Sequence, residues 1–423
     1  MTATIHRAKY ALVNPDLLIE NAAVQVSSGY ISSTETWEST APASEVEVVD
    51  WGSALIMPGL VNAHTHLELT SAHNRLNQFS SFTDWIAKLI TMRRSWTAGQ
   101  IVDSIQEGAR LSLASGVTLV GDITSSVVSI SRENQKLRRI FFEEVIALAP
   151  ERADEILSKL SLEPAGTGSR FSAHCLSPHA PYSVSAQLYK GAAELARKQK
   201  RLLATHVAET QAELQFLRNG TGEFREFLDS MNLMPADWKP PGVHPITYLN
   251  GLGVLGNSCI LIHCNYLDQQ SIARISNSQS SVVYCPRSHH FFGHEKHPVR
   301  SLLDSGINVA LGTDSLASND SLSVLDEMRF LFKTRKDIRA EEIFRAASLN
   351  GAAALGFKGV LGCLNPGYAA DMTILELPHA FKPRHALGQI LEGAGDCIAT
   401  IVHGQIEWRK EDVYSLGAAP APG

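Results

Sequence analysis

From Pro58-Gly59 onward the chain alternates short apolar runs with helical stretches, and eight such runs can be read. They are residues 60–61 leading to His64, 118–123, 139–146, 171–176, 202–206, 259–263, 281–285 and 308–312. Between them, stretches such as 186–199, 268–277 and 321–332 carry apolar residues at helical spacing, and residues 83–92 do so after a Thr83-Asp84 cap. Alternating β and α units imply a parallel sheet with helices outside it. Eight units point to an α/β fold closed as a (β/α)8 TIM-like barrel rather than an open sheet.

The two chain ends read differently. Residues 1–57 alternate short apolar runs with turns, the mark of β-strands. Residues 372–375 and 398–408 have the same style. The two ends are expected to pair into one small β-sandwich beside the barrel. The expected divisions are 1–57 and 359–412 for the sandwich, 58–358 for the barrel, and 413–423 for a flexible, low-complexity tail.

The net charge is −6, with both signs spread along the chain. That balance offers no electrostatic footprint for nucleic acid or an anionic membrane. No stretch approaches the ~20 apolar residues of a membrane helix. Residues 1–10 hold no apolar core of signal-peptide length. A cytoplasmic protein is expected, acting on a small molecule and water, with a homodimer left open. The six cysteines form no Cys-x-x-Cys and read as reduced structural thiols.

A barrel presents its catalytic groups at the C-terminal ends of its strands. The residues that end the runs are therefore the ones to inspect. The first run ends in His64-Thr65-His66, the fifth in His206 with Glu209 beyond it, the sixth in His263, and the eighth reaches Asp314. A single His-x-His is weak; the ordered set is the signal. On an extended strand end, residues i and i+2 point the same way, so His64 and His66 can share a metal. His206 adds a third nitrogen and Asp314 an oxygen. Such a set suits one divalent ion, Zn or Fe, and leaves a place for water. The ion lowers that water's pKa towards ~7. Asp314 can take its proton, His263 can hold the attacking oxygen, and Glu209 can move protons to a ring nitrogen and a leaving amine. Plainer readings stand beside these: a core histidine for His263, a solvated helix-opening residue for Glu209. Glu143 and Glu144, which end the third run, read as structural.

Residues 58–66 (PGLVNAHTH), 205–209 (THVAE), 263–265 (HCN) and 312–315 (GTDS) resemble the amidohydrolase superfamily. The likeness is to its branch of cytosine, guanine and methylthioadenosine/adenosylhomocysteine deaminases and triazine hydrolases. It extends to residues 365–371 (NPGYAAD) near the chain's end. It implies one metal held by His64, His66, His206 and Asp314, with Glu209 and His263 as catalytic groups. Binuclear members carry a bridging Lys near the fourth strand, and residues 171–176 contain none.

Three further segments are similar to aminodeoxyfutalosine deaminases of the alternative menaquinone pathway: 66–70 (HLELT), 177–182 (SPHAPY) and 285–293 (CPRSHHFFG). By that resemblance Glu68, His179, Arg287, Ser288 and His289 line the substrate pocket, with Arg287 suited to a benzoate carboxylate. His179 also reads as a turn residue, and His289, His290, His294 and His297 as a solvated loop or a second metal site. The implied activity is hydrolytic removal of the 6-amino group of a purine nucleoside. A methylthioadenosine/adenosylhomocysteine or other nucleobase deaminase, a triazine-type chlorohydrolase and a non-catalytic barrel scaffold remain as alternatives.

Overall fold

A computed structural model describes residues 3–40, 46–124, 136–162 and 172–410. The expected tail at 413–423 and the first residue of the fourth run lie outside them. Five strands precede the barrel: β1 (Thr4–Asn14), β2 (Leu17–Ser27), β3 (Tyr30–Thr36), β4 (Glu47–Asp50) and β5 (Ala54–Pro58). All eight expected runs are strands: β6 (Leu60–Thr65), β7 (Val117–Thr124), β8 (Arg138–Val145), β9 (Ser172–Pro178), β10 (Leu203–Val207), β11 (Cys259–His263), β12 (Ser281–Tyr284) and β13 (Val309–Leu311). They hydrogen-bond in sequence order, every pair parallel. Closure comes from β13 meeting β6, where Thr65 bridges Asp314. The N–H groups of Thr313 and Asp314 both donate to the His64 carbonyl, each at 3.1 Å.

Barrel strands are covered on both faces, which is why they read as continuous apolar runs. In β11, Ile260 and Ile262 pack in the barrel interior with Ala204, Val283 and Ala310. Cys259 and Leu261 pack outward against the helices. Gly312 lets the seam close. A Cβ there would lie 2.9 Å from both the Cβ and the carbonyl oxygen of His64.

The chain ends do join. After the barrel come β14 (Met372–Glu376), β15 (Asp396–Val402) and β16 (Gln405–Arg409). β14 pairs antiparallel with β5, from Met372 opposite Pro58 to Glu376 opposite Ala54. One eight-stranded sheet results, with β4 paired to β1 at its side. Asp371 ties this sheet to the barrel. Its carboxylate accepts two hydrogen bonds from Arg138 of β8, at 2.7 and 2.9 Å, in a buried pair.

Two helices follow β6: α1 (Phe82–Arg94) and α2 (Ala98–Ala114). The cap of α1 is Ser81 rather than Thr83, its hydroxyl accepting the Asp84 N–H. Asp84 instead accepts from the N–H of Ser80. Among the described residues no helix is long and apolar enough to cross a membrane.

Candidate active site

The strand ends bring His64, His66 and His206 together, with candidate ligand nitrogens within 4.8 Å of one another. Asp314 Oδ1 lies 3.5 Å from His64 Nε2 and 3.7 Å from His66 Nε2. His206 points Nδ1 at the His179 carbonyl, 3.1 Å away, which leaves Nε2 for the site. Burial holds His66 down to about 3 and His206 well below its ordinary value, aided by the neighbouring imidazoles. Neutral rings are the form that binds a metal. His64 is fully buried, and neither of its ring nitrogens has a hydrogen-bond partner among the described residues. An orphaned imidazole beside two more and a carboxylate fits a divalent cation, which would supply the missing partner.

Backbone strain marks the same rim. Ala208, His263, Cys264 and Asp314 have φ of 50°, 71°, 53° and 58°. Non-glycine residues adopt such angles at a cost and persist there when neighbours hold them. In β11 the strand alternation would send His263 outward, because Ile262 faces in. The positive φ breaks that alternation, and the ring stacks against His206 with centroids 5.4 Å apart. Its carbonyl lies 2.8 Å from His297 Nε2.

Glu209 is buried, with Oε1 3.4 Å from His263 Nε2. Burial pushes its carboxyl well up, and the charges of Asp314 and Glu213 add to the shift. The shift favours the protonated form that a general acid needs. Glu213 fixes the turn that presents it, accepting the N–H groups of Ala208 and Glu209 at 3.0 and 2.9 Å. Asn265 donates to the Glu209 carbonyl at 3.0 Å. The Thr210-x-x-Glu213 spacing was a visible helix-start signal; its role in holding Glu209 was not.

Above the cluster lies a cavity of about 410 Å³. Glu68 and His179 line it. Glu68 accepts from Arg93 of α1, at 3.4 and 3.2 Å. α1 supplies an apolar wall of Phe82, Trp85 and Leu89.

Three expected pocket residues stand elsewhere. Arg287 does not line the cavity; its guanidinium donates to Ser321 and Asp320 at 2.7 and 3.0 Å. The cause is its helix, Pro286–Phe291, which is pinned by Glu327 accepting the Arg287 N–H. Ser288 faces Asp314, its hydroxyl donating to Oδ2 at 2.7 Å. Ser318, which no sequence signal marked, donates to the same oxygen at 2.9 Å. His289 packs against Tyr284, His294 and His297 rather than lining the cavity. His289 and His297 are buried, so these are not the side chains of a solvated loop.

Glu144 is also placed differently from its structural reading. Glu143 lies 2.9 Å from His174 on the far side of β8, while Glu144 lines the cavity. Burial, with the charge of Glu68, pushes the Glu144 carboxyl up to about 8. Glu144, His179 and His206 form a second group of candidate ligand atoms. The two groups compete for His206, which has a single free nitrogen, so both cannot be filled.

A model of the amidohydrolase family matches residues 55–406. The chain belongs to the amidohydrolase family. It is a hydrolase acting on carbon–nitrogen bonds, and curated relatives of it are named as deaminases. The aminodeoxyfutalosine deaminase of Deinococcus radiodurans is 31% identical over 286 residues, 63% of this chain and 65% of that protein. The match thus spans just under two thirds of that relative. The 5-methylthioadenosine/S-adenosylhomocysteine deaminase of Pyrococcus furiosus is 27% identical over 435 residues, 95% of this chain and 92% of that protein. Among solved structures, an aminofutalosine deaminase of Helicobacter pylori in complex with methylthio-coformycin superposes with a TM-score of 0.82, at 22% identity, covering 95% of this chain and 99% of that one. A zinc-bound adenosine deaminase from Xanthomonas campestris superposes with a TM-score of 0.80, also at 22% identity, covering 98% and 96%. At such identities the superpositions establish the shared fold of this amidohydrolase.

Proposed function

We propose that this amidohydrolase deaminates a 6-aminopurine nucleoside, with aminodeoxyfutalosine as the first candidate. The observation that carries the reading is Glu209, a buried carboxyl 3.4 Å from His263, at the floor of a cavity beside three imidazoles and Asp314. His64, His66, His206 and Asp314 would hold one divalent ion, Zn or Fe. When bound, that ion supplies a Lewis acid and lowers the pKa of water.

The chain's own groups do the rest. Glu209 gives its proton to the ring nitrogen beside the amino-bearing carbon, which makes that carbon electrophilic. His263 holds the oxygen that adds there. Asp314 takes the proton that the water gives up. Asp314 then passes that proton to the amine, which leaves as ammonia, while the hydroxyl proton of the adduct returns to Glu209 and the ring keeps an oxo group. The apolar wall of α1 excludes water from the reacting face and suits a substrate with an apolar body.

The Deinococcus relative's name supports aminodeoxyfutalosine. A second reading, methylthioadenosine or adenosylhomocysteine, has the support of relatives matched over more of both chains. Ammonia release from aminodeoxyfutalosine, methylthioadenosine, adenosylhomocysteine, adenosine, guanine and cytosine decides between them. Preference for aminodeoxyfutalosine is expected and would place the enzyme in menaquinone synthesis. Silence across the panel from metal-loaded protein overturns the nucleoside reading and directs the search to chlorinated triazines.

A further inference from the structure

Glu144 reaches the cavity by strand alternation. Ile140 and Phe142 of β8 pack in the barrel interior, and Glu144 continues that side past the last interior layer. Its side chain is only 13% exposed. It forms no hydrogen bond with any described residue; the nearest cation-capable atom is His179 Nε2, at 4.0 Å. That distance is too long for a hydrogen bond. The other cavity carboxyls differ. Glu68 is held by Arg93, and Glu209 faces His263.

The proton positions around His179 follow from its partners. Ser183 donates its hydroxyl to the Ala180 carbonyl at 3.1 Å. The Ser183 oxygen, 2.6 Å from His179 Nδ1, therefore accepts from that nitrogen. A neutral His179 then turns the lone pair of Nε2 towards Glu144. Two polar atoms 4.0 Å apart leave room for an oxygen about 2.8 Å from each. A hydroxyl suits that place, because it can donate to the Nε2 lone pair while accepting from the Glu144 carboxyl in its protonated form.

We infer that Glu144 is a specificity residue that hydrogen-bonds a sugar hydroxyl of the substrate, with His179 Nε2 sharing the same hydroxyl. The inference rests on the nucleoside reading above. A buried carboxyl with no hydrogen-bond partner among the described residues is costly until the substrate supplies one, so a substrate lacking the hydroxyl is rejected. Ribonucleosides are therefore selected over their deoxy counterparts.

The test is a cycle of enzyme and substrate variants. kcat/KM is measured for wild type, Glu144→Ala and Glu144→Gln, on the best ribonucleoside of the panel and on its 2′-deoxy and 3′-deoxy analogues. Bound metal is measured in each protein. Wild type is expected to lose at least about 100-fold on one deoxy analogue. Glu144→Ala should lose a similar factor on the ribonucleoside and almost nothing further on that analogue, with metal content unchanged. Equal wild-type activity on all three substrates overturns the inference and leaves the nucleoside reading standing. So does an equal loss on all three in Glu144→Ala. If that variant fails to fold, the wild-type comparison and Glu144→Gln decide. Absence of any nucleoside turnover by wild type overturns both readings together.

Discussion

His64 and Asp314 are joined twice. The Asp314 N–H donates to the His64 carbonyl at 3.1 Å, and Asp314 Oδ1 lies 3.5 Å from His64 Nε2. The contact that closes the barrel between its first and last strands is also the contact that assembles the candidate metal ligands.

Asp314→Asn tests the ligand set. The amide removes the charge and can turn a donor towards the imidazoles, so metal retention and turnover should both fall. Metal analysis of the purified variant, alongside ammonia release, checks this. A fully metallated, active Asp314→Asn protein would show that the ligands lie elsewhere.

Glu209→Gln separates proton transfer from binding. Glu209 sits beside His263, outside the cluster of three imidazoles. The variant should keep its metal and lose about 10²–10⁴-fold in kcat. Retained turnover would remove Glu209 from the chemistry.

Ser318→Ala probes the hold on Asp314. Ser288 and Ser318 donate to Oδ2 at 2.7 and 2.9 Å, which leaves Oδ1 for the histidines. Loss of one donor should weaken metal affinity about 10- to 100-fold, read by chelator competition, and Ser288→Ala should behave alike. Unchanged affinity in both variants would show that the hydroxyls do not orient the carboxylate.

Gly312→Ala strains the seam itself. The added methyl would meet His64 and Val283, each at 2.9 Å. A loss of about 1–3 kcal/mol in stability is expected from denaturant unfolding. Metal content should fall with it, because His64 must shift. An unchanged midpoint would mean that the closure tolerates the methyl group.

Much of the site was legible because local periodicity locates strand ends. His64, His66, His206, His263 and Asp314 each end or follow an apolar run, and a barrel gathers such ends on one rim. His263 is instructive, since simple alternation would have turned it away. Only a positive φ brings it in. Glu144 carries a signal in its spacing: it shares the face of Ile140 and Phe142, whereas Glu143 does not.

The loop residues were less legible. Arg287, Ser288 and His289 are consecutive, yet they face Asp320, Asp314 and the His294–His297 group respectively. A helix of six residues turns successive side chains through about 100° each, so neighbours in sequence diverge in space.

The sequence by itself determined the eight βα units, the pairing of the two ends, and the residue types at the strand tips, because short-range periodicity and strand order encode them. The tertiary structure decided which polar groups share an environment. It turned Arg287 onto Asp320, set Ser318 on Asp314, locked Glu209 through Glu213, and left Glu144 in the cavity without a hydrogen-bond partner among the described residues. Those outcomes depend on how distant segments pack and on which buried donors find acceptors, and no local pattern specifies that.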